Sequence, residues 1–309
     1  MKKIRILLIG YSSFARRRII PSLLRNNRVV FCISSKSNKI NFSKKILFNN
    51  YQEAIKEFRP NLVYISTVNS LHFNYAKKIL NLGINLIVDK PVAPTLKKTQ
   101  ELLKIAKKKK LFFAEATLFN YHRVFNVIKK IYGKKEELQH IQSNLNHPIV
   151  RKIKEIKEIQ GDCESDMANY AAAILRLFSN TNFKKLSVNK HYFKNTKVVK
   201  SFYVTSSFGN CTLFGNFSFQ REYTQQIIFY TNDKIIFSPQ RIFALPPNKD
   251  LEIIVKRKNK FEKIKVKKDD CIKNFINYCI HSIKEKKFNF FYETMLKDAK
   301  VRDFIKKKR

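Results

Sequence analysis

Five short apolar runs alternate with stretches of helical spacing along the first third of this 309-residue chain, and no other feature constrains its fold as tightly. The runs are Ile4–Ile9, Val29–Ser34, Leu62–Ser66, Asn85–Val88 and Leu111–Ala114. Runs this short and this continuously apolar suit strands buried on both faces, as in a parallel sheet. Between them, Ala15–Leu24, Tyr51–Phe58, His72–Asn81 and Leu96–Lys108 carry the apolar spacing of amphipathic helices. Pro21 predicts an interruption in the first, Pro60 stops the second and Gly83 ends the third. A polar stretch continues the second run through Asn41. The βαβαβαβαβ order predicts a doubly wound sheet with crossover helices.

The character changes after about Thr117. Helices are expected at Phe119–Tyr132 and around Met167–Leu177, with a basic stretch, Arg151–Lys157, between them. From Leu186 to Val266 the chain breaks into β-rich runs such as Ser201–Phe208, Cys211–Phe219 and Gln225–Tyr230. Gly209–Asn210 and Asn232–Asp233 separate them with turn residues, which predicts antiparallel pairing. Asp269–Lys284 and Tyr292–Lys307 read as closing helices. The expected fold class is therefore α/β: an N-terminal Rossmann domain, residues 1–117, then a C-terminal α+β domain, residues 118–309, with an open, mainly antiparallel sheet.

Composition excludes several alternatives. At 44% hydrophobic residues the chain has ample material for a core, so wholesale disorder is excluded. A mean hydropathy of −0.34, with no apolar run of about 18 residues, argues against a membrane-spanning helix. Met1-Lys2-Lys3 before an apolar run mimics a signal peptide, but Arg5 interrupts the run, which reads better as a first strand. Five Cys without metal-type spacing fit reduced thiols in a cytoplasm. The +40 charge invites a nucleic-acid reading. Lys is spread along the whole chain, however, as compositional drift would spread it, so no specific nucleic-acid partner is expected. Either way, anionic ligands are attracted.

The first run ends at Gly10-Tyr11-Ser12-Ser13-Phe14-Ala15, where a dinucleotide fingerprint would read GxGxxG/A. The first Gly allows the tight turn and the last small residue lets helix and strand pack closely; Ser12 replaces the second Gly. Arg16, Arg17 and Arg18 follow, opposing the helix dipole unless an anion sits there. The second run ends in Ser34-Ser35-Lys36, with no acid to hold a ribose 2′-hydroxyl. A hydroxyl with a cation suits a 2′-phosphate, so NADP(H) is expected over NAD(H).

Two further segments, Ile65-Ser66-Thr67-Val68-Asn69-Ser70-Leu71-His72 and Asp89-Lys90-Pro91-Val92-Ala93-Pro94-Thr95, resemble motifs of the Gfo/Idh/MocA family of nicotinamide-dependent sugar oxidoreductases. So do Glu115-Ala116 with Tyr121-His122, and the stretch from Gly161 to Tyr170. The resemblance covers roughly residues 4 to 177. It implies a cofactor site drawing on Gly10, Ser12, Ser13, Phe14, Ala15, Ser35, Lys36, Thr67, Asn69, His72, Asp89 and Lys90. It also implies that Lys90 lies beside the nicotinamide, where a partly desolvated Lys can protonate a carbonyl oxygen as hydride reaches carbon. Asp166 and Tyr170, one helical turn apart, would line the substrate pocket. Either Tyr170 or Lys90 would be the proton donor, and Asp166 would orient a sugar hydroxyl or Lys90. Asp89 stands for the family's Glu, and Asp162 and Cys163 stand for two of its glycines.

The resemblance is strongest to the branch that reduces the 3-keto group of nucleotide-linked deoxysugars, in surface-glycan precursor synthesis. A sugar or cyclitol dehydrogenase, or a non-catalytic cofactor-binding relative, is the alternative. His72 is expected to pack near the cofactor or cap its helix, and His122 either faces the pocket or is structural. No metal is expected, because the histidines and cysteines form no ligand set. A homodimer or homotetramer is implied by the family.

Overall fold

The computed structural model describes residues 3–36, 46–134, 137–148, 161–178 and 186–308. The basic stretch Arg151–Lys157 lies outside the described residues. Two compact units divide the chain: Met1–Thr117 with Ile272–Ala299, and Leu118–Cys271 with Lys300–Arg309.

The first unit is built on six strands: β1 (Ile4–Ile9), β2 (Val29–Ser34), β3 (Leu47–Phe48), β4 (Leu62–Ile65), β5 (Asn85–Asp89) and β6 (Phe113–Ala116). They pair in the order β3-β2-β1-β4-β5-β6, and every pairing is parallel. This is the doubly wound order in which the winding reverses between β1 and β4. The central strands are buried on both faces: Ile6, Leu7, Leu8 and all of Leu62–Ile65 have no exposed surface. Helices α2 (Tyr51–Phe58), α3 (Asn69–Asn81) and α4 (Leu96–Lys108) form the crossovers. Asn50 caps α2 by accepting the Gln52 amide at 2.8 Å, and Thr95 caps α4 through the Lys98 amide at 3.3 Å. On α4, Thr99, Leu102, Leu103 and Ala106 form the buried face. The returning segment adds Tyr292 and Met295 to this core.

Pro21 does not interrupt the first helix. A π-turn, Ala15–Ile19, runs directly into α1 (Ile20–Leu24), with Pro21 in the first turn of α1. The Ile20 amide reaches back to the Ala15 carbonyl, five residues away. This widened turn lies immediately before a ring that would otherwise crowd a carbonyl of the preceding turn. The two-residue strand β3 is too short to leave a hydrophobic pattern.

The second unit contains an eight-stranded sheet from β7 (Leu138–His147), β8 (Leu186–Tyr192), β9 (Val199–Phe208), β10 (Cys211–Phe219), β11 (Thr224–Thr231), β12 (Ile235–Phe237), β13 (Leu251–Arg257) and β14 (Lys260–Val266). Its order is β14-β13-β12-β11-β7-β10-β9-β8, with β7–β10 parallel and the other pairs antiparallel. Phe202 and Phe217 stack at 4.8 Å on one face. Helix α5 (Val124–Tyr132) and helix α6 (Cys163–Phe178) contribute to the same core, α6 through Ala171, Ala172, Ala173, Ile174 and Leu175 among others. Glu164 at the start of α6 pairs with Lys190 at 2.5 Å, with both side chains at most 10% exposed. No helix among the described residues is long and apolar enough to cross a membrane.

Candidate functional site

In the first unit, the segments that the sequence singles out lie at the carboxyl ends of β1, β2, β4 and β5, where open α/β sheets bind ligands. Gly10 leaves β1 with φ +101°, and its amide donates to the Ser34 carbonyl at 2.9 Å. A Cβ there would stand 2.4 Å from the carbonyl oxygen of Ser66, so the backbones leaving β1 and β4 touch at the switch point. Ser12 then folds the turn on itself: its Oγ accepts the Ala15 amide at 2.9 Å and its carbonyl accepts the Arg16 amide at 2.9 Å. Ser13 and Phe14 are exposed, and Ala15 is buried against the sheet. Arg16 and Arg17 are exposed in the first turn. At the end of β2, the Ser35 amide donates to the Phe48 carbonyl at 3.0 Å and Lys36 is exposed.

The segment leaving β4 into the first turn of α3 exposes Val68 and Leu71 and leaves Thr67 and Asn69 half-buried. His72 is fully buried on α3, with Nδ1 2.7 Å from the Pro91 carbonyl and Nε2 3.2 Å from the Thr67 carbonyl. It therefore links the loop after β4 to the turn after β5. In that second turn the Lys90–Pro91 peptide is cis, and the Val92 amide donates to Glu115 Oε2 at 2.7 Å. Lys90 is half-buried.

Asp89, beside Lys90, is held on both carboxylate oxygens: Tyr64 donates to Oδ1 at 2.8 Å and Ser66 to Oδ2 at 2.5 Å. Burial raises its pKa above the usual carboxylate range, against the lowering effects of the Ser66 bond, His72, the Tyr64 bond and Lys90. Tyr64, Ser66 and Glu115 hold this turn, yet they are not among the site residues expected from sequence. Ser66 and Glu115 lie inside the family-like segments, which is the signal that marks them; Tyr64 has none, being one more aromatic in an apolar run.

In the second unit, Asp162 is the N-cap of α6. Its Oδ1 accepts the Ser165 amide at 2.9 Å and its carbonyl accepts the Asp166 amide at 3.0 Å. The acid that replaces a family glycine thus has a capping function, while Cys163 is buried beside Met167. Asp166 and Tyr170 are both half-buried, one turn apart on α6. The Tyr170 ring stacks on Phe119 at 5.7 Å and lies 5.1 Å from Phe243, so two aromatic neighbours fix its plane. His122 is buried, with Nδ1 accepting the Val124 amide at 3.1 Å at the start of α5, and burial lowers its pKa.

Residues 4–117 match the model of the Gfo/Idh/MocA oxidoreductase family, NAD-binding Rossmann fold. The chain is 31% identical over 101 residues to the uncharacterized oxidoreductase YhhX of Escherichia coli strain K12, covering 32% of this chain and 29% of that protein. It is 24% identical over 200 residues to dTDP-3,4-didehydro-2,6-dideoxy-alpha-D-glucose 3-reductase of Saccharopolyspora spinosa, covering 62% of this chain and 60% of the reductase. Among solved structures, the 3-ketoreductase KijD10 of Actinomadura kijaniata, crystallised with NADP and TDP-benzene, superimposes with a TM-score of 0.88 at 17% identity. That superposition covers 99% of this chain and 97% of KijD10, and shows a shared fold. By its matched segment and the strand order that carries it, the stretch of residues 4–117 is similar to the NAD-binding Rossmann domain of the Gfo/Idh/MocA oxidoreductase family.

Proposed function

We propose that the protein is an NADP(H)-dependent oxidoreductase that moves hydride between nicotinamide and a sugar carbonyl or hydroxyl, with a nucleotide-linked keto-sugar as the substrate class. The observation that carries this reading is the switch point itself. The Gly10 turn, the Thr67–Asn69 loop and the Asp89–Lys90–Pro91 turn leave the carboxyl ends of parallel strands β1, β4 and β5, which lie side by side. The kinship with the dTDP-sugar 3-reductase and the shared fold with KijD10 support the substrate class.

The residues present fit the cofactor. Gly10 has no side chain where main chain must approach closely, and its positive φ makes the turn that a diphosphate needs. The Gly10–Ala15 turn would hold the diphosphate, with Arg16 and Arg17 adding positive charge. Ser35 and Lys36, at a strand end without an acid, would take the 2′-phosphate. Thr67, Asn69 and His72 would line the nicotinamide end. When bound, the nicotinamide supplies or accepts the hydride. Lys90 or Tyr170 gives the proton to the substrate oxygen, and Asp166 orients a sugar hydroxyl. Five buried free cysteines suit a reducing, cytoplasmic setting, and a homodimer or homotetramer is the expected assembly.

Fluorescence titration with both reduced cofactors tests the cofactor assignment. NADPH should bind at least about tenfold more tightly than NADH, about the worth of one charge-assisted contact, and Lys36→Ala should erase most of that difference. Equal affinities in the wild type contradict it.

A further inference from the structure

The Ser12 hydroxyl has one hydrogen to give, and its neighbours determine where that hydrogen goes. When Asp89 is ionised its carboxylate only accepts, so Ser66 spends its own hydrogen on Oδ2 at 2.5 Å. The 3.0 Å contact between the two serine hydroxyls must then run from Ser12 to Ser66. Ser12 in turn accepts from the Ala15 amide at 2.9 Å, and Tyr64 closes the other end by donating to Asp89 Oδ1 at 2.8 Å. Tyr64 and Ser66 have no exposed surface, and Ser12 and Asp89 are half-buried, which strengthens these bonds relative to exposed ones.

We propose that Ser12 is a positioning residue: through this one-directional relay it fixes the Asp89 carboxylate, and with it the Lys90 turn, relative to the cofactor's diphosphate turn. The inference rests on the cofactor reading above and goes further. The Ser12 hydroxyl is committed inward and does not serve as a phosphate donor. The serine that departs from the glycine fingerprint joins the two turns on which binding and chemistry depend. The groups that face Asp89 are Tyr64 and Ser66 from the end of β4, His72 from α3 and Lys90 from its own turn. Glu115 on neighbouring β6 is engaged by the Val92 amide.

A double-mutant cycle on NADPH affinity, read by fluorescence, tests this. Ser12→Ala and Asp89→Asn should each weaken binding about fivefold, the worth of one coupled contact. Because both break one relay, the double variant should bind no worse than either single variant. Ser12→Thr keeps the hydroxyl and should stay within about twofold of the wild type. If the two losses multiply, Ser12 acts on the ligand directly and the proposal falls while the cofactor reading stands. If the wild type does not bind NADPH, both fall. The pH profile gives a second readout. Losing the relay makes the carboxylate easier to protonate, so the pH below which affinity changes should move upward in Ser12→Ala. A loss of affinity equal at every pH would mean that Ser12 merely shapes its own turn, and would also overturn the proposal.

Discussion

Gly10 and Ser66 approach so closely that a methyl group on the glycine would lie 2.4 Å from the serine's carbonyl oxygen and 2.9 Å from its carbonyl carbon. Both atoms are main chain, which a rotamer change cannot move aside, and Gly10 also holds φ +101°. Gly10→Ala should therefore cost about 3 kcal/mol in stability, from left-handed strain plus overpacking. It should also abolish NADPH binding. An unchanged urea midpoint would show that the two strand ends can separate freely.

Asp89 gives a pH prediction with a definite sign. Burial raises its folded pKa above the ordinary carboxylate value, so the folded state holds this proton more tightly than the unfolded chain. Its contribution is fully present below the unfolded pKa, about 3.9, and is lost as pH rises through the folded value. Urea midpoints of the wild type and Asp89→Asn, compared from pH 4 upward, should therefore shift against the wild type as pH rises. A difference that moves in the wild type's favour would mean the Ser66 and Tyr64 bonds outweigh burial.

In the second unit, Glu164 and Lys190 form a nearly enclosed ion pair at 2.5 Å. Removing Glu164 leaves the Lys190 ammonium with the Lys306 carbonyl at 3.2 Å but no counter-charge, at a cost of up to about 3 kcal/mol. Glu164→Ala should show that loss in chemical denaturation. Replacing both residues by apolar ones of similar size should recover most of it, and equal losses from the single and double variants would contradict the pairing.

All five cysteines are buried and free, and burial pushes Cys32 up to about 12 and Cys211 up to about 11, with Cys163 and Cys279 also raised. Thiolate is the reactive form, so the native protein should react hardly at all with a thiol reagent near pH 8 and should expose five thiols on unfolding. Rapid native labelling would place a thiol at the surface.

Much of the first unit is legible in the sequence because the central stretches of its strands are apolar: residues 6–9 of β1 and all of Leu62–Ile65 are buried. β7 leaves no such mark. Leu138, Ile141 and Leu145 are buried, but Gln139, His140, Gln142, Ser143, Asn144 and Asn146 populate both faces of this interior strand. The support around Asp89 is illegible for another reason. Tyr64 and Ser66 are 25 and 23 residues away in sequence, and the register that pairs Ile65 with Val88 places them beside the carboxylate. Ser66 lies inside a family-like segment that marks it, whereas Tyr64 is selected by strand register alone.

The central claim is hydride transfer at the Lys90 turn. The most direct test follows loss of reduced-nicotinamide absorbance when the protein, NADPH and a nucleotide-linked 3-keto-hexose are mixed, for the wild type and for Lys90→Ala. The wild type should turn over, and the variant should bind NADPH normally while turning over at least about a hundredfold more slowly, the lower range for a lost general acid. Turnover undiminished in Lys90→Ala would contradict the account, as would no turnover in either direction across keto- and hydroxy-sugars by a wild type that binds NADPH.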